Sequence, residues 1–184
     1  PGGRLRELGA DSHRIDSGPT VFTMRWVFEQ LFATAGERLG DWLELTPLEV
    51  LARHSWVDGS RLDLYSDIER TVDAIGQLAG RREAAAYRRF AHESQRIFDT
   101  LDHSFIRRER PGPVALTRSL GIGGLPRLYA TKPFTSLWDE LGRLFGDPRL
   151  QQLFGRYATY CGSSPFDAPA TLMLIAHAER AGVW

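Results

Sequence analysis

The chain has 184 residues, which is enough for one domain with a substantial core. Its 23 basic and 23 acidic side chains balance, so the composition excludes the strongly basic surface of a general nucleic-acid-binding protein. The single cysteine, Cys161, excludes an internal disulfide and a cysteine-based zinc cluster, and no run of about eighteen apolar residues is present to span a bilayer.

The N-terminal residues 1–24 predict loops, short strands and a turn. Gly2 and Gly3 allow the backbone to approach another group closely, and Arg4 follows them. The run 16–20 predicts a turn, because its glycine accepts unusual backbone angles and its proline fixes the next one. The spacing then predicts an amphipathic helix over 25–38, whose buried face is expected to hold Val27, Phe28, Leu31, Phe32 and Ala35.

Residues 50–65 give the clearest hairpin signal in the chain. Two stretches with alternating polarity, 50–57 and 61–65, flank the Asp58-Gly59 pair that is typical of a tight hairpin turn. On the first strand His54 and Trp56 share a face, where they line either a cavity or the core. Strands from the N-terminal residues could join this sheet.

Helices are predicted over 67–79, 82–101 and 135–146, because apolar residues recur there at three- and four-residue steps. The longest of them carries a stripe made of Tyr87, Phe90, Ser94, Ile97 and Leu101. Residues 104–134 are rich in glycine and proline and yet apolar. That composition fits a mobile lid or a membrane-contacting segment, and it fits a buried connector equally well.

The stretch 147–169 predicts a helical hairpin with aromatic residues on its inner side. Asp147 can cap a helix that has Pro148 at its first position, and Gly162 is placed to end it. A polar turn containing Phe166 then leads into a second helix. On periodicity alone the stretch is a well-packed core hairpin.

No pattern in the sequence identifies a catalytic or metal centre. The chain lacks a Gly-x-Gly-x-x-Gly turn, a P-loop and a His-Glu-x-x-His motif. Its five histidines are dispersed without metal-ligand spacing, so no metal site is predicted. Composition and spacing alone predict a mostly helical globular piece with one hairpin sheet.

Several stretches of the sequence resemble those of the flavin-dependent carotenoid desaturases. The resemblance is carried by Pro1-Gly2-Gly3-Arg4, Asp16-Ser17-Gly18-Pro19-Thr20-Val21, Phe28-Glu29-Gln30-Leu31-Phe32-Ala33 and Trp56-Val57-Asp58-Gly59-Ser60-Arg61-Leu62-Asp63-Leu64-Tyr65. Residues 147–184 most closely resemble the branch of that family that desaturates hydroxylated or methoxylated neurosporene. The resemblance covers essentially the whole chain.

We predict an α+β fold with a small mixed or antiparallel sheet and about seven covering helices. The resemblance implies that this is the substrate-domain portion of an amine-oxidase-like FAD enzyme. Residues 1–24 would be the tail of the FAD-binding unit, and residues 25–184 the carotenoid-binding domain. The dinucleotide-binding turn and a further flavin-contacting segment are expected outside this chain, so the isolated piece is expected to be an inactive fragment.

The resemblance also implies site residues and chemistry. FAD would accept a hydride from a saturated C–C unit beside the polyene, and no general base is assigned. The residues expected to contact the cofactor are Gly2, Gly3, Arg4, Asp16, Gly18, Pro19 and Thr20. The carotenoid is expected among the aromatic residues and the histidine of the two hairpins, namely His54, Trp56, Phe154, Tyr157, Tyr160 and Phe166.

The expected partners are an acyclic carotenoid, as the substrate, and the membrane surface in which carotenoids lie. Carotenoids lie in the bilayer, so the protein is expected to dock on the inner or photosynthetic membrane of a bacterium, with residues 104–134 as the contact. Replacing Ile122 and Leu125 with aspartate should then release the full-length enzyme from liposomes. The sequence leaves the oligomeric state open. Two alternatives also stay open: a phytoene desaturase-like or carotenoid isomerase-like enzyme, and, for the isolated piece, a non-catalytic module that binds a hydrophobic ligand or a partner.

Overall fold

A computed structural model of the chain describes residues 6–10, 13–18, 21–108 and 124–184. The chain divides into two units, Pro1–Leu48 with Ala181–Trp184, and Glu49–Arg180. The described residues contain seven α-helices and two small antiparallel sheets, so the prediction of mixed helix and strand is confirmed.

The first unit contains a hairpin and one α-helix. Strand β1 (Arg6–Ala10) pairs antiparallel with β2 (His13–Ser17), and helix α1 spans Arg25–Thr34. The N-terminal strands therefore pair with each other and form a sheet separate from the 50–65 hairpin. A short bridge between Thr23 and Val183 connects the two ends of this unit.

The expected buried face of α1 is corrected by the structure. None of the residues of α1 is buried, and Leu31 is 64% exposed. The ring of Phe28 stacks on Phe22 at 4.3 Å between centroids, but Val27 stays exposed. The apolar spacing identifies which side of the helix is hydrophobic. It does not identify what covers that side, and the described residues of the unit do not cover it.

The second unit begins with the predicted hairpin. Strand β3 (Val50–Ser55) pairs antiparallel with β4 (Arg61–Tyr65), which confirms strands over 50–65. Gly59 in the turn has a φ of 82°, a left-handed value that glycine adopts without strain. A bulge between Val50 and Ala52 shifts the register, so Val50 lies opposite Tyr65 and leaves the face that holds Ala52.

Two consecutive helices follow the hairpin. Helix α2 spans Ile68–Ala79, and the side chain of Asp67 caps it by accepting a hydrogen bond of 2.9 Å from the backbone N–H of Arg70. Helix α3 spans Arg81–Leu101 and continues into a π-helical turn over Asp102–Ile106. The whole stripe that the spacing predicts on α3 is buried.

Four shorter helices complete the second unit. They are α4 (Gly124–Tyr129), α5 (Leu137–Leu144), α6 (Pro148–Gly155) and α7 (Leu174–Arg180). Two 3₁₀ segments lie between α6 and α7, at Arg156–Cys161 and Ala170–Met173. Asp147 caps α6, and Gly162 ends the following 3₁₀ segment with a φ of 64°. The predicted start and end of this helical stretch are therefore confirmed, although the α-helix itself stops at Gly155 and the rest is 3₁₀-helical.

Helix α3 is the central element of the second unit, because α2 and α7 both pack against it. Phe98 on α3 meets the ring of His177 on α7 at 4.8 Å between centroids. Among the described residues, no helix combines the length and apolar character needed to cross a bilayer. Residues 109–123 of the predicted contact segment 104–134, which include Ile122, lie outside the described residues.

Candidate functional site

The β3–β4 hairpin positions His54 and Trp56 on its inner face. His54 lies opposite Leu62, which is buried in the core. The turn is held by Asp58, which accepts a hydrogen bond of 2.9 Å from the backbone N–H of Ser60. Because side chains alternate along a strand, the register that buries Leu62 also directs His54 inward.

Trp56 connects this hairpin to helix α6. Its indole Nε1–H donates a hydrogen bond of 3.1 Å to Oε1 of Gln152, and its ring lies 6.3 Å from that of His54. Both side chains are half-buried. The two residues therefore stand together on one face of the strand, as their spacing predicts, and they border the C-terminal helical hairpin.

Phe154 lies at the centre of an aromatic core. It is 1% exposed and its ring meets four others, with centroid distances of 4.5 Å to Phe90, 5.1 Å to Phe145, 5.7 Å to Tyr87 and 6.3 Å to Tyr157. Close offset and tilted rings of this kind favour a rigid interior. Phe154 therefore fixes the shape of the surrounding region through packing.

Next to the aromatic core lies an ionic cluster that we define as Arg156, Tyr157, Tyr160 and Glu179, of which Tyr157 and Glu179 are buried and Tyr160 is 44% exposed. The Arg156 guanidinium donates two hydrogen bonds to the Glu179 carboxylate, of 3.0 Å from Nη1 and 2.7 Å from Nη2. The Tyr157 hydroxyl donates a third, of 3.0 Å, and the Tyr160 hydroxyl donates a fourth. Glu179 is 5% exposed, so its charge depends on these four donors.

The cluster shifts the acid–base properties of its members. Burial and the Glu179 charge raise the pKa of Tyr157. Burial and the hydrogen bond to Glu179 raise the pKa of Tyr160 to about 12. Both phenols therefore remain protonated donors at neutral pH. Burial alone would lower the pKa of Arg156, but Tyr157 and Glu179 raise it above its ordinary value, so the guanidinium stays charged.

His54 borders this cluster and carries an unpaired ring nitrogen. Burial and then the positive charge of Arg156 lower the pKa of His54, so its imidazole is neutral at pH 7. Among the described residues, His54 Nε2 has no hydrogen-bond partner, and neither has Arg156 Nε, although both atoms are buried. Near the ionic cluster, these two buried atoms are left without a partner by the part of the chain that the structure describes.

The remaining predicted substrate residues lie nearer the surface. Tyr160 is partly exposed, and Phe166 is 62% exposed with its ring 4.9 Å from that of Trp138. The structure therefore brings Phe154, Tyr157 and Tyr160 into one row of rings with the ionic cluster. Phe166 stands apart on the turn that follows.

A cavity of about 620 Å³ lies between the hairpin and helix α2. His54 and Leu62 line it from the strands, and Ala74 and Leu78 line it from the helix. Charged residues of the hairpin, among them Arg53 and Asp63, form part of its wall. The cavity thus reaches the same histidine that borders the ionic cluster.

The cofactor-contacting residues predicted from the resemblance are described only in part. Gly2, Gly3 and Arg4, with Pro19 and Thr20, lie outside the described residues. Asp16 lies in β2, where its partner is Glu7, and Gly18 ends that strand with a φ of 153°. That backbone angle disfavours side chains larger than glycine.

Within the part of the chain that the structure describes, no group of three or more histidine, cysteine or carboxylate side chains could hold a metal ion. The polar groups that the site presents are the guanidinium, two phenols, a carboxylate and a neutral imidazole. They can bind and orient an oxygen function at the end of an otherwise apolar ligand.

Comparison with known proteins gives whole-chain matches. Hydroxyneurosporene desaturases from Rubrivivax gelatinosus and Cereibacter sphaeroides are 50% and 47% identical to the chain over 100% of its length. The chain is a homologue of carotenoid desaturases. A phytoene dehydrogenase from Streptomyces griseus is 36% identical over the same span. These carotenoid-desaturase homologues confirm the resemblance predicted from the motifs.

The chain matches only part of the length of each of these relatives. The chain spans 35% of the Rubrivivax gelatinosus protein, 37% of the Cereibacter sphaeroides protein and 36% of the Streptomyces griseus protein. No model of a protein family matches the chain.

Sequence reasoning missed Arg156 and Glu179 as members of the site. A signal for Glu179 was present, because it follows the buried Met173 and Ala176 at three-residue steps and so falls on the apolar side of its helix. A carboxylate at such a position needs a buried cation as a partner. Nothing in the spacing indicated that this partner would be Arg156.

Proposed function

We propose that this chain is part of an FAD-dependent oxidoreductase that desaturates acyclic carotenoids carrying a hydroxyl or methoxy group. The observation that supports the proposal is 50% identity to a hydroxyneurosporene desaturase over the whole chain. Because the chain spans about a third of that relative, the activity is proposed for the full-length protein and the isolated chain is expected to be inactive.

The architecture proposed for the full-length protein is that of an amine-oxidase-like flavoprotein. Residues 1–24 would belong to its FAD-binding unit and residues 25–184 to its carotenoid-binding domain. Gly18, whose φ is 153°, supports a close approach of the backbone to the cofactor. FAD, when bound, supplies two-electron oxidation by accepting a hydride from carbon.

The role proposed for the second unit is to bind and align a long apolar substrate. The aromatic core around Phe154 gives the region a fixed shape, and the half-buried His54 and Trp56 offer a surface beside it. A rigid apolar surface positions a polyene and removes water from it, which favours hydride transfer over side reactions. Binding and alignment are thus the chain's own contribution to the reaction.

The proposal is tested by flavin titration and product analysis of the full-length protein. We expect the full-length protein to bind FAD and to convert hydroxyneurosporene into a product that absorbs at longer wavelength, since one more double bond joins the polyene. The isolated chain should bind FAD far more weakly. Gly18→Val should weaken FAD binding by about tenfold or more, since a side chain is strained at that φ.

Gly9→Ala is the matched control, because a Cβ at Gly9 would meet no atom within 4 Å. Binding of FAD should be unchanged in this variant. A full-length protein that binds no FAD, or that leaves every acyclic carotenoid unconverted, would overturn the proposal. Conversion of phytoene in preference to hydroxyneurosporene would favour the alternative, a phytoene desaturase-like enzyme, to which the 36% identity with a phytoene dehydrogenase also points.

We also propose that the full-length protein docks on a bacterial membrane through the region of residues 104–134. At the described ends of this region Phe105, Tyr129 and Phe134 are exposed apolar rings, the last of them 88% exposed. Tyr129→Asp with Phe134→Asp is expected to reduce co-sedimentation with phosphatidylethanolamine–phosphatidylglycerol vesicles several-fold. Val57→Asp, at a fully exposed position in the hairpin turn, is the control. If the two variants co-sediment with the vesicles to the same extent, residues 104–134 are not the membrane contact.

A further inference from the structure

The carboxylate of the ionic cluster has four hydrogen-bond donors, but one atom of the cluster and one atom of the neighbouring His54 have no partner among the described residues. Glu179 accepts two hydrogen bonds from Arg156 and one each from Tyr157 and Tyr160. Arg156 Nε and His54 Nε2 are buried and have no partner among the described residues. Leaving a buried donor or acceptor unpaired is costly, so a partner for these atoms is expected when the site is filled.

The two unpaired atoms differ in what they need. Arg156 Nε carries a hydrogen and can only donate. A neutral imidazole has one ring nitrogen with a free lone pair, and in the tautomer that carries its hydrogen on Nδ1, His54 Nε2 is the acceptor. A hydroxyl group accepts one hydrogen bond and donates another, so a single hydroxyl has the chemistry that a donor and an acceptor together require. An ether oxygen accepts only and would satisfy Arg156 Nε alone.

The surroundings of His54 combine apolar side chains with the polar and charged residues of the cavity wall. Trp56 stands beside the imidazole on the same strand face, and Leu62 lies opposite it. His54 and Leu62 both line the cavity of about 620 Å³, and Tyr160 of the cluster is partly exposed. A ligand in this cavity can therefore reach His54, and the charge of Arg156 acts on the same imidazole.

We propose that Arg156 Nε and His54 Nε2 bind the terminal hydroxyl group of the carotenoid substrate, with the hydroxyl accepting from the first and donating to the second. This inference rests on the proposed function and deepens it, since it assigns recognition of the oxygenated end to two residues. His54 is kept neutral by burial and by the charge of Arg156, which preserves its accepting lone pair.

The proposal is tested in the full-length enzyme with His54→Leu and His54→Gln. Arg156 is left intact, because its removal would unbalance Glu179. The measurement is kcat/KM for hydroxyneurosporene, for its methoxy derivative and for neurosporene, which lacks the oxygen. His54→Leu should lower kcat/KM for the hydroxylated substrate about ten- to a hundredfold, while the value for neurosporene should stay within about threefold.

The methoxy derivative separates recognition from structural damage. It has no hydroxyl hydrogen to give to His54, so His54→Leu should affect it much less than the hydroxylated substrate. His54→Gln retains an acceptor and should restore part of the preference for the hydroxyl. Cys161→Ser, an exposed position beside Tyr160, is the control and should leave all three values unchanged.

Failure of this inference is distinguishable from failure of the proposed function. If wild-type enzyme desaturates the carotenoids but His54→Leu lowers all three values equally, or changes none, the hydroxyl site is wrong and the function stands. A water molecule permanently bound to Arg156 Nε and His54 Nε2 would leave all three values unchanged. If the wild-type enzyme desaturates nothing, the site can still be tested by binding. The detergent-solubilised wild-type protein should then retain hydroxyneurosporene better than neurosporene, and His54→Leu should lose this preference.

Discussion

Replacing Phe154 with alanine is expected to lower the free energy of unfolding by about 3–5 kcal/mol. The side chain is 1% exposed, and its ring contacts the rings of Tyr87, Phe90, Phe145 and Tyr157. Alanine leaves a cavity that four rigid rings cannot collapse to fill, and it removes the contacts that the Phe154 ring makes with them. Urea unfolding followed by circular dichroism measures the loss.

Phe134→Ala is the matched control for this prediction. Phe134 is 88% exposed, so the same change in side chain removes almost no buried surface and should leave the unfolding free energy within about 0.5 kcal/mol of the original. Similar losses in the two variants would mean that the ring cluster around Phe154 does not stabilise the domain as its burial indicates.

Glu179→Ala is expected to cost about 3–5 kcal/mol of stability, because it leaves the Arg156 charge and two phenols without their acceptor. The double variant Arg156→Met with Glu179→Leu should recover the part of that loss that comes from the unpaired Arg156 charge, although the Tyr157 and Tyr160 hydroxyls still lack their acceptor. Two apolar side chains need no partner, whereas a single buried charge does. Urea unfolding of the single and double variants gives the difference directly.

An exposed ion pair provides the comparison. Glu69 pairs with Arg88 at the surface, and Glu69→Ala should leave the urea midpoint nearly unchanged. A double variant as unstable as Glu179→Ala would contradict the explanation from charge balance. It would indicate that the geometry of the cluster, rather than its unpaired charge, carries the stability.

Local signals in the sequence predicted much of the second unit. The Asp58-Gly59 pair fixed the hairpin turn, and Asp147 and Gly162 marked the ends of the helical stretch between them. Each of these is a short-range effect, since a turn or a cap depends on the chemistry of a few adjacent residues. The buried stripe of α3 followed from its period in the same way.

What the sequence could not predict depends on contacts between distant residues. Arg156 and Glu179 are 23 positions apart, and no spacing rule relates two such residues across a turn. The exposed face of α1 is the converse case, because periodicity shows that a helix has an apolar side and not that anything covers it. The site prediction selected His54 and Tyr160 from residue type. It missed the ion pair of Arg156 with Glu179 for the same reason.

The packing of α7 on α3 has a consequence for how the chain between them can vary. Phe98 and His177 meet although they lie far apart along the chain, so their contact closes a long loop that includes α4, α5 and α6. The entropy lost on closing a flexible loop grows only with the logarithm of its length, at about 0.6 kcal/mol for each doubling. A few residues added to this loop therefore change the closure entropy of the Phe98–His177 contact only slightly.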